Sequence, residues 1–304
     1  MFTLPIGLLF VITIVTVWAT GFLRGFYSKH FPDKALFLWN FNFWQNLACL
    51  VGIILVYTVS GGLGRFSWFS VGLGVAIGIS SVIGLNANLQ AFSTGPFAYT
   101  SVIVSLSAII PTLSGLFFGE TISASQYIGI ALMIVCILLS PQTGNTQQVH
   151  KASTHWLLLC LVAALCSGFL GVVQKVHQHS IDHRSEMAAM LISCFAVSTI
   201  FAGVQYWRHL PHRGTSSTDK PMTTHAIVLP ILCGLSFAFP QTINLFLVGQ
   251  VPAAVFFPIV NLTPMILTMV SAVIIFKERL SRKRWIGIGV GIVSTIFLSG
   301  ILGF

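Results

Sequence analysis

Ten long apolar runs leave this chain little choice but to live in a membrane. A helix needs about 20 apolar residues to cross a hydrocarbon core of ~30 Å at ~1.5 Å of rise per residue. Runs of that kind fall at 4–26, 35–59, 67–92, 97–118, 125–139, 155–176, 188–207, 224–248, 253–276 and 285–302, the fifth being short. They are continuous and do not alternate with period two, so they read as helices, not barrel strands. The longest polar connections lie at 140–154 and 208–223. Only 7% of the 304 residues are charged, against about 25% in a soluble domain, too few to cover a water-facing surface. The net charge of +9 does not point to nucleic acid, because the Lys and Arg residues sit between apolar runs and not on one folded face. The first run lacks a basic leader and a cleavage site, so it reads as a retained helix and not a signal peptide.

The two halves of the chain resemble each other. Thr20-Gly21-Phe22-Leu23 near the end of the first run answers to Ser167-Gly168-Phe169-Leu170 in the sixth. Asn88-Leu89 stands eight residues before Pro96, and Asn244-Leu245 eight before Pro252. Glu120-Thr121-Ile122-Ser123 precedes Ile128-Gly129 at the spacing with which Glu278-Arg279-Leu280-Ser281 precedes Ile286-Gly287. Three matches in the same order indicate an internal repeat. Five is an odd number of spans, so the second copy enters the membrane from the opposite side. The expected fold class is an all-α membrane protein, with ten transmembrane helices as two inverted five-helix repeats. The expected units are a first repeat over 1–140, a linker loop over 141–154 and a second repeat over 155–304.

This pattern resembles the drug/metabolite transporter superfamily, and within it the EamA-like bacterial transporters. The most specific pieces are Phe118-Gly119-Glu120 with Gly129, and Phe276-Lys277-Glu278 with Gly287. The resemblance runs through nearly the whole chain, with Lys277 a mild departure where the family often has Gly. It implies a multi-pass carrier with a central cavity, in a bacterial plasma membrane. A fold likeness does not fix a substrate.

Charge sets an expected orientation. Twelve of the fifteen Lys and Arg residues lie at the ends of runs one, five, seven and nine or in the connections that follow them; Arg65, Lys175 and Arg184 are the others. The positive-inside rule puts the larger set, including Lys277–Arg284, in the cytoplasm, with both termini outside.

Within the runs the expectation is an uncharged cavity. No Asp, Glu, Lys or Arg lies deep in a run, and an intramembrane charge is the usual mark of a proton relay. A buried-carboxylate exchange mechanism is therefore not expected. Neutral polar groups stand in its place. Asn42, Gln45 and Asn46 share one helix face at i, i+3 and i+4. The candidate substrate-binding residues are Trp18, Asn42, Trp44, Gln45, Asn88, Tyr99, Gln241, Asn244 and Asn261. Amides paired with aromatics suit a neutral, zwitterionic or weakly anionic solute, although amides also hold helices together in lipid. Arg24 and Lys175 are candidate cavity-mouth charges for an anionic group, or alternatively cations snorkelling to the headgroups.

Pro111, Pro258 and Pro264 are candidate hinges, because each removes a backbone donor and frees the carbonyl four residues earlier. Gly74 and Gly78 form a small-x3-small packing pair. The six cysteines, with no Cys-x-x-Cys pair, read as packing residues. His177, His179 and His183 near Asp182 read as a plain loop in preference to a metal site. The Asn261-Leu262-Thr263 sequon lies in a span and is followed by Pro264, so it is discounted.

The expected function is secondary transport of a small organic metabolite by alternating access. No cofactor, no metal and no catalytic residue is expected, since the runs hold no nucleophile or acid constellation. The expected partners are the substrate, the lipid bilayer and a second copy of the chain. The alternatives are a drug exporter or a non-transporting scaffold or sensor.

Overall fold

A computed structural model describes residues 4–31, 35–95, 100, 103–120, 123–139, 154–210, 224–276 and 282–298. Among these, every regular element is helical. The helices are α1 (Ile6–His30), α2 (Ala35–Val59), α3 (Trp68–Thr94), α4 (Ile109–Ser114), α5 (Ala124–Leu139), α6 (Thr154–His179), α7 (Met187–His209), α8 (Thr224–Gln250), α9 (Ala253–Phe276) and α10 (Arg282–Leu298). Six of them, α1, α2, α3, α6, α7 and α8, are long and apolar enough to cross a membrane.

The fourth apolar run departs from the continuous helix expected of it. It is broken into a 3-10 turn at Leu106–Ala108, the six-residue α4 and a second 3-10 turn at Gly115–Phe118. Pro111 accounts for the first break: without its N–H, the Ser107 carbonyl in that turn has no i→i+4 donor. Gly119 accounts for the stop, taking φ +74° at the helix end, a left-handed conformation open to glycine at little cost. That stop delivers Glu120 to the bundle. Pro258 and Pro264 behave differently. Both lie inside α9, which runs through them unbroken, as α8 runs through Pro230 and Pro240.

The contacts between helix ends fix the directions of the helices. At one end of the bundle the Tyr27 hydroxyl of α1 donates to the Phe37 carbonyl of α2 (3.0 Å), and Asn40 Nδ2 of α2 donates to the Ala226 carbonyl at the start of α8 (2.7 Å). At the other end Lys175, near the close of α6, donates to the Val248 carbonyl near the close of α8 (3.1 Å). Measured against α8, then, α1 and α6 point in opposite directions. Tyr57, late in α2, shares a buried cluster with Ala188 and Met190, early in α7, so α2 and α7 are opposed as well.

The helices pack across the two halves of the sequence. α2 lies against α7 and α8, α3 lies against α6 and α7, and α5 pairs with α10. The largest buried cluster draws Cys49 and Ile53 from α2, Ile77 from α3, Val173 from α6, Phe195 from α7 and Leu245 from α8. All six cysteines are free, five buried and Cys166 half-buried. The exterior is apolar instead: Trp68, Phe117 and Trp207 are 92%, 90% and 76% exposed. A surface of that kind is solvated by lipid, with the tryptophans near the ends of α3 and α7 where headgroup-level aromatics belong.

Candidate functional site

Six helices converge on a central cavity of about 190 Å³. The first half of the chain supplies Arg24 from α1, Gln45 and Asn46 from α2, and Ser80, Ser81, Gly84, Leu85 and Asn88 from α3. The second half supplies Cys166, Ser167 and Leu170 from α6, Phe195 from α7, and Phe237 and Gln241 from α8. The lining is thus amides and hydroxyls on one hand, two phenyl rings and two leucines on the other, and one cation.

That cation corrects the expectation of an uncharged interior. Helix α1 runs to His30, six residues beyond Arg24, whose side chain lines the cavity. Its Nε donates to Gln45 Oε1 (3.1 Å), and its guanidinium carbon stands 5.3 Å from the centre of the Phe237 ring. Gln45 Oε1 also accepts from Cys233 Sγ (3.4 Å). Among the described residues no carboxylate pairs with Arg24; the ion pairs there are Lys175–Glu120 and His183–Glu186.

Lys175 is not part of the cavity lining, and it is buried instead of snorkelling. Helix α6 extends to His179, and the Lys175 side chain is only 8% exposed. Its ammonium pairs with Glu120 and donates to the carbonyls of Val248 (3.1 Å) and Val251 (3.5 Å). Glu120 Oε2 in turn accepts from the Ala253 N–H at the start of α9 (2.7 Å). The cation thus meets the carbonyl end of α8 and the anion meets the amide end of α9, each the favourable partner for that helix dipole.

The remaining candidates divide. Gln45, Asn88 and Gln241 reach the cavity, and the Asn88 Oδ1 atom has no hydrogen-bond partner among the described residues. Asn42 is buried but turns back on its own helix, donating to the Leu38 carbonyl (3.3 Å). Asn46, its neighbour on that face, donates to the Asn42 carbonyl (2.7 Å) and does line the cavity. Asn244 Nδ2 donates to Gln241 Oε1 (3.3 Å) and so stands behind the lining. Asn261 donates to the Phe257 carbonyl of its own helix (2.8 Å), and Trp18 Nε1 donates across to Ser271 Oγ of α9 (3.0 Å). Trp44 packs edge-on against Phe43. Tyr99 lies outside the described residues. The lining residues that the sequence did not single out for the cavity include Ser80, Ser81, Leu85, Phe195 and Phe237. They are small or apolar side chains with no distinctive pattern, and only the packing of α3, α7 and α8 around one space brings them together.

A second polar cluster closes the end of the bundle where α6 finishes and α3 and α7 begin. Ser67 caps α3, its side chain accepting from the Ser70 N–H (3.2 Å). Ser70 Oγ donates to Glu186 Oε2 (2.6 Å) and lies 3.1 Å from His177 Nε2. Ser67 also donates to Glu186 Oε2, and His183 Nδ1 stands 3.4 Å from that same oxygen. The rings of Phe69 and His183 stack at 4.8 Å. His177 and His183 are thus tied into hydrogen bonds between helices, with His179 against Phe118.

Glu186 precedes α7, outside the spans. The hydroxyls of Ser67 and Ser70 hold its carboxyl down to about 2 from 4.5. A depressed native pKa contributes stability that is complete above the unfolded value and is lost as pH falls through the native one. Thermal stability in detergent is therefore expected to decline between pH 4.5 and pH 2, and Glu186→Gln is expected to flatten that decline. An unchanged slope in the variant would contradict the assignment.

Comparison with known proteins follows the same lines. Residues 154–300 match the model of the EamA-like transporter family. A search of curated proteins finds no match. A solved structure described as "Crystal structure of protein" matches at 14% identity, with a TM-score of 0.67, over 97% of each chain. At that identity the likeness is one of fold.

Proposed function

We propose, from the match of residues 154–300 to the model of the EamA-like transporter family, that this multi-pass membrane protein is a secondary carrier for a small organic metabolite. The observation that carries the reading is the central cavity, built from α1, α2 and α3 of the first half and α6, α7 and α8 of the second. A cavity shared between two bundles is opened to either side by rocking one against the other. The opposed directions of α1 and α6, and of α2 and α7, support an inverted repeat over 1–140 and 155–304, joined by the linker 141–154. The end-closing contacts at Lys175–Glu120 and at Ser70–Glu186 are both between side chains or between side chain and helix end, so both are able to part and re-form. The basic set that follows α1, α5, α7 and α9 favours a cytoplasmic position for those ends. The carrier works within the lipid bilayer, without a nucleic-acid partner or a cofactor.

The size of the cavity favours a compact solute. Sites for drug-sized ligands occupy about 300–1,000 Å³, more than the 190 Å³ of this partly open cavity. The test is counterflow in proteoliposomes loaded with small organic acids, amino acids, nucleosides or polyols. The expected outcome is exchange of one such class, abolished by Phe237→Trp, which fills the cavity. If no loaded solute exchanges across the panel, the carrier reading falls and the scaffold reading replaces it.

A further inference from the structure

We infer that the central cavity binds a small organic monocarboxylate, with Arg24 as the group that holds the carboxylate. This deepens the carrier reading of the same cavity and rests on it for its biological meaning.

The argument begins with an unbalanced charge. A guanidinium inside a helical bundle is costly to desolvate and normally pairs with an anion or faces water. Arg24 has a neutral amide oxygen at 3.1 Å and an aromatic face at 5.3 Å, which stabilise it without neutralising it. Among the described residues, no carboxylate pairs with it. The bond to Gln45 engages Nε, and the guanidinium also meets the Cys233 side chain; of its five N–H donors, enough remain on the terminal nitrogens for a carboxylate to be taken side by side. Gln45 therefore fixes the orientation of the fork instead of competing for it.

The same observations limit the ligand. One cation, with no second Lys or Arg and no helix N-terminus among the described lining residues, balances one negative charge; a phosphate dianion would leave charge uncompensated in a low-dielectric site. A permanent cation is repelled. Phe195, Phe237, Leu85 and Leu170 provide an apolar wall for a short hydrocarbon group. Asn88 also lines the cavity; its Oδ1 is shielded and without a partner among the described residues, so it accepts an O–H or N–H from the solute only once the amide rotates toward the cavity, which restores the hydrogen bond that burial withholds.

The experiment measures thermal unfolding of the full chain in detergent, with isobutyrate, benzoate, isobutyramide, benzamide, tetramethylammonium and inorganic phosphate as probes. The expected result is a saturable rise in Tm of roughly 2 °C or more with one or both carboxylates, and none with the amides, the cation or phosphate. Arg24→Gln is expected to weaken carboxylate binding at least about 30-fold, while Arg24→Lys retains part of it. Should Arg24→Gln fail to fold, Arg24→Lys and Asn88→Leu, titrated with the same carboxylate, provide the comparison. Equal stabilisation by the matching amide, binding of phosphate in place of carboxylates, undiminished carboxylate binding in Arg24→Gln, or no response to any probe overturns the inference. Arg24-dependent carboxylate binding without counterflow of that carboxylate would leave this inference standing and remove the carrier reading.

Discussion

Glu120→Ala is expected to cost about 3–5 kcal/mol of stability, because it strands the Lys175 ammonium in the bundle. That ammonium is 8% exposed and keeps only the carbonyls of Val248 and Val251 once its carboxylate is gone. The same change removes the acceptor from the Ala253 N–H at the head of α9. Lys175→Met alone is milder, since Glu120 retains the Ala253 amide and the more exposed position, 18% against 8%. The decisive quantity is the coupling. Lys175→Met combined with Glu120→Ala is expected to be less damaging than Glu120→Ala by itself, because the double variant no longer buries an unpaired charge. Thermal unfolding of the four proteins in one detergent measures it. Strictly additive losses would show that the two side chains do not stabilise one another.

Gly78→Ala is expected to destabilise by about 1–3 kcal/mol, the cost of overpacking a tight contact. A Cβ there would stand 2.5 Å from the Cys194 carbonyl oxygen and 3.3 Å from the Cys194 Cα. Backbone cannot step aside as the tip of a flexible side chain does, so α3 and α7 must separate. Separation also strains the Ser198 hydroxyl, which bridges the carbonyls of Gly78 (3.0 Å) and Cys194 (2.8 Å). Gly21→Ala supplies the contrast. It is equally mid-helix, but a Cβ there meets nothing within 4 Å, so the helix gains roughly 0.5–1 kcal/mol from the lost glycine. Opposite signs for one chemical substitution are expected in the same unfolding assay. Equal effects would mean that helix propensity, and not the α3–α7 approach, governs both sites.

Much of the architecture is legible in the apolar pattern. Helices in lipid must satisfy their backbones internally, so length and hydropathy alone locate them. The starts of α2, α7, α8 and α9 fall within a residue of the runs that predict them. The break in the fourth span is half legible: Pro111 marks it, but so do Pro258 and Pro264, and α9 does not break. A proline removes one donor wherever it stands; whether the helix gives way depends on what packs around the freed carbonyl.

The sequence by itself determined that this chain is a bundle of apolar helices with two similar halves, because those properties follow from run length, composition and repeat spacing. Only the tertiary structure decided which polar groups face the cavity. Asn42 and Gln45 share a helix face, yet one bonds its own helix while the other meets Arg24. Arg24 and Lys175 read alike as cations near the ends of apolar runs, yet the first enters the cavity and the second pairs with Glu120, 55 positions away. The reason is that a side chain's partner in a bundle is set by which helices touch and at what height, and those relations join residues far apart in the chain.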